Sequence, residues 1–319
     1  MMGLGFGLGA ALTWALDTVI LGIALSSAAF TSTPQAVALA AFVSTFLHDA
    51  SSAVCAFIYM GLRGKLADTW RTLRSKAGLV VIGAALIGGP IGMTGYVTAI
   101  DNIGAGYAAA ISAFFPAFGA LLATFTLHEH LKPYQWAGLI VAVGAIAVLG
   151  YTPVDGVPGD WTTGVIGALV CVVGWGSEAV IIDWGLKSTA VDDEVAMQIR
   201  QTTSAMTYAL ILLPLLGAWP IATFALMSSA MPIVAFAAAL GTASYIFYYK
   251  AIAALGSQKA MALNITYSAW AIPFAFLLLG TAPEPRGVVC AVVILVGAIV
   301  AATDIKTLLS KGDAAQEQA

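Results

Sequence analysis

Two segments of the chain place a tryptophan and a carboxylate three residues apart within a long apolar stretch. Trp14 precedes Asp17 in the first segment, and Trp175 precedes Glu178 in the second. An ionised carboxylate is costly in such surroundings and is found there mainly where it has a function. Because a cation bound nearby would lower that cost, we predict that the two elements belong to a site for a positively charged ligand.

Further ionisable residues lie within apolar stretches. His48 and Asp49 occupy the middle of one stretch, far from any interface that could solvate them, and we predict a functional role for both. Histidine titrates near neutral pH, and desolvation favours the neutral form of a carboxylate. Asp183 and Arg200 lie near the ends of their stretches, and we interpret them as interfacial or helix-end charges. The candidates for proton exchange are Asp17, His48, Asp49 and Glu178.

Aromatic side chains near the middle of other stretches supply the second half of the predicted site. Residues three or four apart share one helix face, which groups Asn264 with Tyr267 and Trp270. A quaternary ammonium cannot donate an N–H hydrogen bond, so aromatic faces and a counter-charge hold it. The alternative for any single ring is an anchor at the lipid interface or a core side chain. The candidate binding residues near the middle of these stretches are Trp14, Asp17, Trp175, Glu178, Tyr245, Tyr248, Tyr249, Asn264, Tyr267 and Trp270.

The tryptophan–carboxylate element is part of an internal repeat. Val19 and Ile20 recur as Val180 and Ile181, at the offset that relates the two tryptophans. A second ordered run also recurs: Tyr96, Ala99, Ile100, Gly104 and Ala108 match Tyr248, Ala251, Ile252, Gly256 and Ala260. Such self-similarity indicates one domain built from a duplicated unit.

Composition places the chain in a lipid bilayer. Hydrophobic residues make up 60% of the sequence and charged residues 9%, with a mean hydropathy of +0.94, which excludes an ordinary soluble domain. A bilayer-spanning helix needs about 20 apolar residues, and β-barrel alternation is absent, so we predict an all-α membrane protein with ten transmembrane helices. The expected spans are 3–25, 36–61, 77–100, 104–127, 134–151, 163–186, 195–217, 231–254, 257–280 and 286–304.

Lysine and arginine residues set the predicted orientation. They concentrate in the connections after the second, fourth and sixth spans and after the last one, whereas the opposite connections carry none apart from Arg286 at an edge. The basic side is cytoplasmic by the positive-inside rule, so both termini are expected on the cytoplasmic side of the membrane. The predicted divisions are a first repeat at 1–151, an external linker at 152–162, a second repeat at 163–306 and a cytoplasmic tail at 307–319.

Five spans per repeat is an odd number, so the second repeat enters the membrane upside down relative to the first. Inverted repeats are the architecture of many secondary transporters, whose substrate binds near the midplane between the two halves. Trp14 and Trp175 would face each other there.

Other site classes have little support in the sequence. A Walker-type phosphate loop is absent, so direct ATP coupling is not expected. His128, Glu129 and His130 lie in a predicted turn, and alternate helical residues point apart, so no metal site is expected there. No cofactor is predicted, and a formal net charge of −3 does not indicate a nucleic-acid surface.

The duplicated pattern resembles the drug/metabolite transporter superfamily of the EamA type over residues 3–304. Ordered segments resemble more closely the bacterial choline permeases of that superfamily: His48-Asp49, Gly89-Pro90-Ile91-Gly92-Met93, Trp175-Gly176-Ser177-Glu178, Arg200-Gln201, Thr203-Ser204, Tyr248-Tyr249, Ala251-Ile252, Lys259-Ala260, Leu263-Asn264, Tyr267 and Trp270. The resemblance implies ten helices in two inverted repeats, with a choline site between them. An acid at the position of Asp17 is not part of the choline-permease pattern. A related but different amine is therefore an alternative substrate.

The leading hypothesis is a secondary transporter that imports choline or a related quaternary ammonium compound by alternating access, with proton coupling as a further hypothesis. Its expected partners are a small cationic substrate and membrane lipid. The alternative is an exporter of amino acids, amines or drugs on the same fold. A membrane enzyme would need a catalytic constellation that the sequence does not show, and midplane indoles would block the pore of a channel. The sequence does not indicate an oligomeric state.

Overall fold

The structure, a computed structural model, describes residues 2–151, 159–189 and 191–303, apart from the side chains of 105 and 106. Most of the predicted linker, 152–158, and the predicted tail, 307–319, lie outside the described residues. The first repeat contains α1 (Met2–Leu25), α2 (Ala28–Thr31), α3 (Pro34–Leu62), α4 (Leu66–Leu73), α5 (Lys76–Leu86), a π-helical turn (Ile87–Ile91), α6 (Gly92–Ser112), α7 (Phe115–Thr126) and α8 (Pro133–Gly150).

The second repeat has a similar order of elements. It contains α9 (Trp161–Thr189), α10 (Asp193–Thr207), a π-helical turn (Tyr208–Leu212), α11 (Leu213–Leu215), α12 (Trp219–Leu226), α13 (Ala230–Leu255), α14 (Ser257–Asn264), α15 (Tyr267–Leu279) and α16 (Pro285–Ala302). The described residues contain no β-strand, and the predicted all-α class is confirmed.

Nine helices of the described ranges are long and apolar enough to cross a membrane: Met2–Leu25, Pro34–Leu62, Lys76–Gly104, Tyr107–Thr126, Pro133–Gly150, Trp161–Thr189, Ala230–Leu255, Ser257–Leu279 and Pro285–Ala302. The seventh expected span, 195–217, corresponds to α10, the second π-helical turn and α11. It differs from the others because α10 carries Gln198, Arg200 and Gln201, whose polar side chains lower its hydropathy. The arrangement is consistent with ten spans in two repeats.

Local sequence explains several helix ends. The side chain of Thr33 accepts a hydrogen bond from the backbone of Ala36, and Pro34 occupies the first turn of α3, where its missing N–H is not needed. Asp192 caps α10 by accepting from the backbone of Glu194 and Val195. These caps fix where the two helices begin. They therefore also fix how far along the helix axis, and how deep in the bundle, the polar residues of each helix lie.

Packing between the repeats is reciprocal. Helix α1 packs against α13, and its counterpart α9 packs against α6, which is the counterpart of α13. Helices α3 and α10 form a matching pair, as do α8 and α16. Close approach at the last contact depends on glycine: a Cβ on Gly138 would lie 2.6 Å from the carbonyl oxygen of Gly297, and the reverse distance is also 2.6 Å. The first helix of each repeat thus packs on the other repeat, which places both tryptophan–carboxylate elements at the interface.

The repeats break their helices at equivalent positions. Gly104 has φ 80° and ψ 157°, and Gly256, its predicted counterpart, has φ 82° and ψ 162°. This backbone conformation is accessible essentially to glycine alone. The matching break supports the internal repeat predicted from the sequence.

Candidate functional site

An internal cavity of about 200 Å³ lies between the two repeats. Helices α1, α3, α6 and α7 and the first π-helical turn contribute from the first repeat, and α9, α10, α13 and α14 contribute from the second. An engineered cavity of about 150 Å³ in another protein holds benzene, so this space fits a small organic molecule. Its lining residues are Trp14, Asp17, Thr45, His48, Asp49, Gly88, Gly89, Met93, Phe115, Trp175, Glu178, Ala179, Ile182, Arg200, Gly241, Ser244, Tyr245, Tyr248, Tyr249, Ile252 and Asn264.

Most residues singled out from the sequence line this one cavity. The set comprises Trp14, Asp17, His48, Asp49, Trp175, Glu178, Tyr245, Tyr248, Tyr249 and Asn264. Tyr267 lies one layer behind the lining and stacks on Trp14, with ring centroids 4.6 Å apart and planes 12° apart. Trp270 is half-buried and is not part of the lining. The structure therefore brings together the predicted tryptophans and carboxylates of both repeats.

The predicted common stripe of Asn264, Tyr267 and Trp270 is wrong, because Asn264 lines the cavity whereas Tyr267 and Trp270 do not. Helix α14 ends at Asn264 and α15 begins at Tyr267, so a turn separates them and the continuous helical register assumed from the sequence is lost. Asn264 consequently faces the cavity, whereas the ring N–H of Trp270 is buried without a hydrogen-bond partner among the described residues.

Each cavity tryptophan packs on a ring from the opposite repeat. Trp14 stacks on Tyr267, and Trp175 meets Phe115 edge to face at 5.7 Å and Tyr96 at 5.5 Å. Phe115 and Tyr267 are equivalent positions, related by the offset that relates the two helix-breaking glycines. Aromatic pairs of this kind add about 0.5–1.5 kcal/mol beyond the burial of their area, so the indoles are held in place by the repeat interface. Sequence reasoning missed Phe115, although its position in the repeat could have found it.

Asp17, His48 and Asp49 form a buried triad. The Nε2 atom of His48 lies 3.1 Å from both carboxylate oxygens of Asp17, and Nδ1 lies 3.3 Å from Oδ1 of Asp49. The three residues are 5%, 8% and 6% exposed. Their predicted positions within the apolar interior are thus observed, and the pairing joins α1 to α3.

The interpretation of Arg200 as a helix-end charge is wrong. Its guanidinium is buried in the cavity, where Nε donates to Oε1 of Glu178 at 2.8 Å and a second nitrogen lies 3.8 Å from Asp49. The guanidinium carbon also lies 4.5 Å from the centre of the Tyr245 ring, a cation–π contact. The capped helix α10 begins seven residues earlier at Asp193, so Arg200 lies two turns into the bundle and not at the membrane surface.

Helix α10 contributes further polar contacts that the sequence analysis did not identify. Ser204 donates from its hydroxyl to Oδ2 of Asp49 at 2.6 Å. The amide of Gln201 accepts from Arg200 at 2.7 Å and donates to Ser52, which in turn hydrogen-bonds the hydroxyl of Thr242 at 2.8 Å. Arg200 and Ser204 are four residues apart and therefore lie on one face of α10. This spacing of polar residues in an otherwise apolar span could have predicted that the face is buried in the bundle.

The cavity has an excess of negative groups. Asp17, Asp49 and Glu178 are opposed by Arg200 and, when it is protonated, His48. With His48 protonated the formal sum is −1, and with His48 neutral it is −2. Buried charge without a counter-charge is unfavourable, so the arrangement suits a cationic guest more than an anionic or neutral one.

Two buried polar atoms of the lining have no hydrogen-bond partner among the described residues. They are Oδ1 of Asn264 and the hydroxyl of Tyr249. An unsatisfied buried polar group costs about 1–3 kcal/mol. A ligand that carries a hydroxyl group could satisfy the Asn264 oxygen by donating to it.

Asp183 is also more deeply placed than the sequence suggested. It is fully buried near the end of α9, accepts from the backbone of Ser257 at 2.7 Å and pairs with Lys187 at 3.0 Å. The carboxylate therefore anchors the start of α14, directly after the break at Gly256. It does not line the cavity, so its role in the described structure is to fix the backbone.

A second charged cluster, the Glu194 cluster, joins the two repeats on the side where basic residues concentrate. It consists of Glu194, Lys65, Lys250 and Tyr59. Glu194 is 2% exposed in its side chain and accepts from Lys65 at 2.7 Å, from Lys250 at 2.8 Å and from the hydroxyl of Tyr59 at 2.7 Å. These contacts tie the end of α3 to the start of α10 and the end of α13. Burial alone would lower the pKa of Lys65, but hydrogen bonds to Asp192 and Glu194 outweigh it and raise that pKa.

Comparison with known proteins agrees with this architecture. A solved crystal structure superposes with a TM-score of 0.68 at 19% identity, covering 92% of this chain and 96% of the other, and at that identity it shows the fold alone. Protein LicB of Haemophilus influenzae (strain ATCC 51907 / DSM 11121 / KW20 / Rd) is 30% identical over 320 residues, covering 98% of this chain and 99% of LicB. The EamA-like transporter family matches residues 1–151 and 162–303. The chain is therefore a multi-pass membrane protein that belongs to the EamA-like transporter family.

Proposed function

We propose that this chain imports choline or a closely related quaternary ammonium compound across the bacterial cytoplasmic membrane. The observation that carries the proposal is the cavity between the repeats, whose lining combines six aromatic side chains with an excess of carboxylates. A quaternary ammonium has no N–H to donate, and it is held by ring faces and counter-charge. Both requirements are met within one buried space.

The proposed roles follow from the contacts of each side chain. Trp14 and Trp175, held by Tyr267 and Phe115, present indole faces to the ligand. Tyr248 adds a third ring, Glu178 and Asp17 supply counter-charge, and Asn264 accepts a hydrogen bond from the choline hydroxyl. The ring of Tyr245 faces the Arg200 guanidinium instead. Trp270, which the sequence placed in the cage, has no part in this assignment.

Arg200 defines where the ligand can bind. Its guanidinium already lies over Tyr245 and pairs with Glu178, so a second cation beside it is disfavoured by repulsion. The proposed ammonium position is therefore nearer Trp14, Asp17 and Trp175. There the ligand approaches Asp17 while keeping the guanidinium–Glu178 pair intact.

Alternating access is the proposed mechanism. The cavity lies between two inverted repeats, and in such transporters access alternates as one part rocks against the other. The Glu194 cluster bridges elements of both repeats on the predicted cytoplasmic side, so these ion pairs would close that side when formed. Asp17, His48, Asp49 and Glu178 are the proposed candidates for proton coupling.

Similarity to other proteins supports the class of function. Membership of the EamA-like transporter family supports transport of a small molecule, and the ordered segments that resemble the choline permeases support the substrate class. Indoles from both repeats line the cavity between the repeats, and this favours a carrier with a central site over a continuous pore.

Ligand binding to the purified protein tests the proposal. Choline is expected to raise the melting temperature, because a ligand that binds only the folded state stabilises it by mass action. Betaine and acetylcholine test how far the site tolerates a changed oxygen group. If none of the three compounds raises the melting temperature, the quaternary ammonium cage is wrong.

Export of amines or other small molecules on the same fold is the alternative. Asp17 is the residue that supports an amine as the substrate, because its carboxylate could accept hydrogen bonds from a protonated amine. Uptake of labelled choline into sealed vesicles, measured with and without an imposed proton gradient, distinguishes the two directions. Accumulation driven by an inward gradient supports proton-coupled import, whereas proton-driven extrusion supports the alternative.

A further inference from the structure

His48 is held between two carboxylates from different helices. Its Nε2 atom lies 3.1 Å from both oxygens of Asp17 on α1, and its Nδ1 atom lies 3.3 Å from Asp49 on α3. All three side chains are nine-tenths or more buried. Solvent therefore cannot take over either contact, and the number of protons on the triad is fixed by the geometry.

The count of donors shows that the triad holds an additional proton. A neutral imidazole has one N–H and one lone-pair nitrogen, and an ionised carboxylate only accepts. A neutral His48 between two ionised carboxylates would direct a lone pair at carboxylate oxygens on one side. Both contacts are favourable only when one more proton is present, and the imidazolium, with two N–H donors, satisfies both carboxylates at once.

Asp17 is the member of the triad that depends most on His48. Asp49 also accepts from Ser204 at 2.6 Å and lies 3.8 Å from Arg200, whereas His48 is the ion-pair partner that the described residues provide for Asp17.

Among the described residues that line the cavity, the other cation is Arg200 of α10, whose guanidinium pairs with Glu178. From α13, Gly241 approaches the ring of His48 without a side chain, and Ser244 and Tyr245 line the cavity nearby. From α9, Glu178 lies beyond Arg200 and is paired with it. Loss of the proton would leave His48 with a single N–H and Asp17 without an ion-pair partner among the described residues, and a buried charge without a counter-charge is strongly unfavourable.

We infer that Asp17 keeps His48 protonated throughout the neutral pH range, so that His48 is a fixed cation of the cavity and not a proton carrier. Asp17 acts through His48 and is in this respect a positioning residue. The consequence for binding rests on the proposed function: a cavity with a constant formal charge of −1 binds a monovalent cation with little dependence on pH. His48 is thereby removed from the candidates for proton coupling.

Nitrogen NMR of histidine-labelled protein tests the inference without any ligand. The chain has three histidines, and His48→Gln assigns the signal of the buried one. We expect His48 to keep both ring nitrogens protonated between about pH 6 and about pH 8.5. In Asp17→Asn, His48 should lose a proton within this range.

Two results would overturn the inference: titration of His48 in the parent protein, or an unchanged imidazolium in a folded Asp17→Asn. If Asp17→Asn does not fold, the parent titration decides alone. This measurement does not depend on choline, so a failure of the proposed substrate would be recognised separately, as an absence of binding in a protein whose His48 stays protonated.

Ligand affinity gives the second readout. In the parent, choline affinity should stay constant over this pH range. In Asp17→Asn the cavity gains one negative charge as His48 loses its proton, so affinity should rise by about tenfold from the acidic to the alkaline end, the change for about 1.4 kcal/mol. Asp160→Asn is the matched control, because Asp160 is exposed in a predicted external connection and asparagine caps a helix equally well. A flat profile in Asp17→Asn would contradict the inference.

Discussion

Arg200 donates a hydrogen bond from Nε to Oε1 of Glu178 at 2.8 Å, inside the cavity between the repeats. The two residues belong to α10 and α9, and the sequence analysis gave them opposite interpretations. Their pairing means that the proposed counter-charge of the ligand also holds the one buried guanidinium of the described structure. Removing the carboxylate should therefore affect both binding and stability.

Glu178→Gln should weaken choline binding at least tenfold and lower the free energy of unfolding by about 3 kcal/mol, because removal of one partner leaves a buried charge unpaired. Isothermal titration and thermal unfolding measure the two effects. Glu284→Gln is the control, since it makes the same change at an exposed helix cap without a side-chain hydrogen bond. Parent-like binding by a folded Glu178→Gln would remove this carboxylate from the proposed site.

Trp175→Ala should weaken choline binding by about thirtyfold, which corresponds to the approximately 2 kcal/mol of a desolvated cation–π contact. Trp14→Ala should have a similar effect because the two indoles are equivalent in the repeat. Trp175→Phe should retain part of the affinity, since it keeps an aromatic face. Trp184→Ala, on the same helix but exposed at its outer face, serves as the control. Equal affinities for the variants of the two tryptophans on α9 would show that Trp175 does not contact the ligand.

The internal repeat made much of this site predictable. Trp14 and Trp175 are recognisable as equivalent because their neighbours recur at one offset, and equivalent residues of inverted repeats meet at the interface between them. The matching backbone at Gly104 and Gly256 comes from the same regularity. Duplicated features can be recognised in a single sequence because one repeat can be aligned with the other.

The remaining features depend on where helices begin and on contacts between distant residues. Arg200 was misplaced because the sequence does not show that α10 is capped at Asp192, and a shift of a few residues decides whether a charge is interfacial or buried. Trp270 was misplaced because a turn interrupts the register after Asn264. The contact of Gly241 with the triad joins residues far apart in the chain, and neither spacing nor composition reports it.

Glu194→Gln should lower the free energy of unfolding by about 3 kcal/mol, because Lys65 and Lys250 would lose a buried counter-charge. Asp68→Asn, which breaks an exposed ion pair with Arg71, should change it by less than about 1 kcal/mol. Thermal unfolding of the purified protein measures both variants. Similar losses in the two variants would show that the Glu194 cluster contributes no more than a surface pair.

The pH dependence of this cluster follows from the raised pKa of Lys65. A raised pKa means that the contribution to stability is complete below the ordinary value of 10.5 and is lost as pH rises through the higher folded value. The difference in melting temperature between parent and Glu194→Gln should therefore stay constant from about pH 6 to about pH 9 and decrease only in strong alkali. A difference that already declines near neutral pH would contradict the assignment of the charged lysine to this cluster.

Gly241→Ala tests whether the triad needs the close approach of α13. A Cβ at this position would lie 2.7 Å from Nε2 of His48 and 2.8 Å from Oδ2 of Asp17, so the pair must separate or α13 must move. We expect a lower melting temperature and weaker choline binding, since either response disturbs the proposed counter-charge. Gly5→Ala is the matched control: no atom lies within 4 Å of its added Cβ, and alanine favours a helix over glycine by up to about 1 kcal/mol. If Gly241→Ala behaves like Gly5→Ala, the backbone of α13 does not constrain the contact between His48 and Asp17.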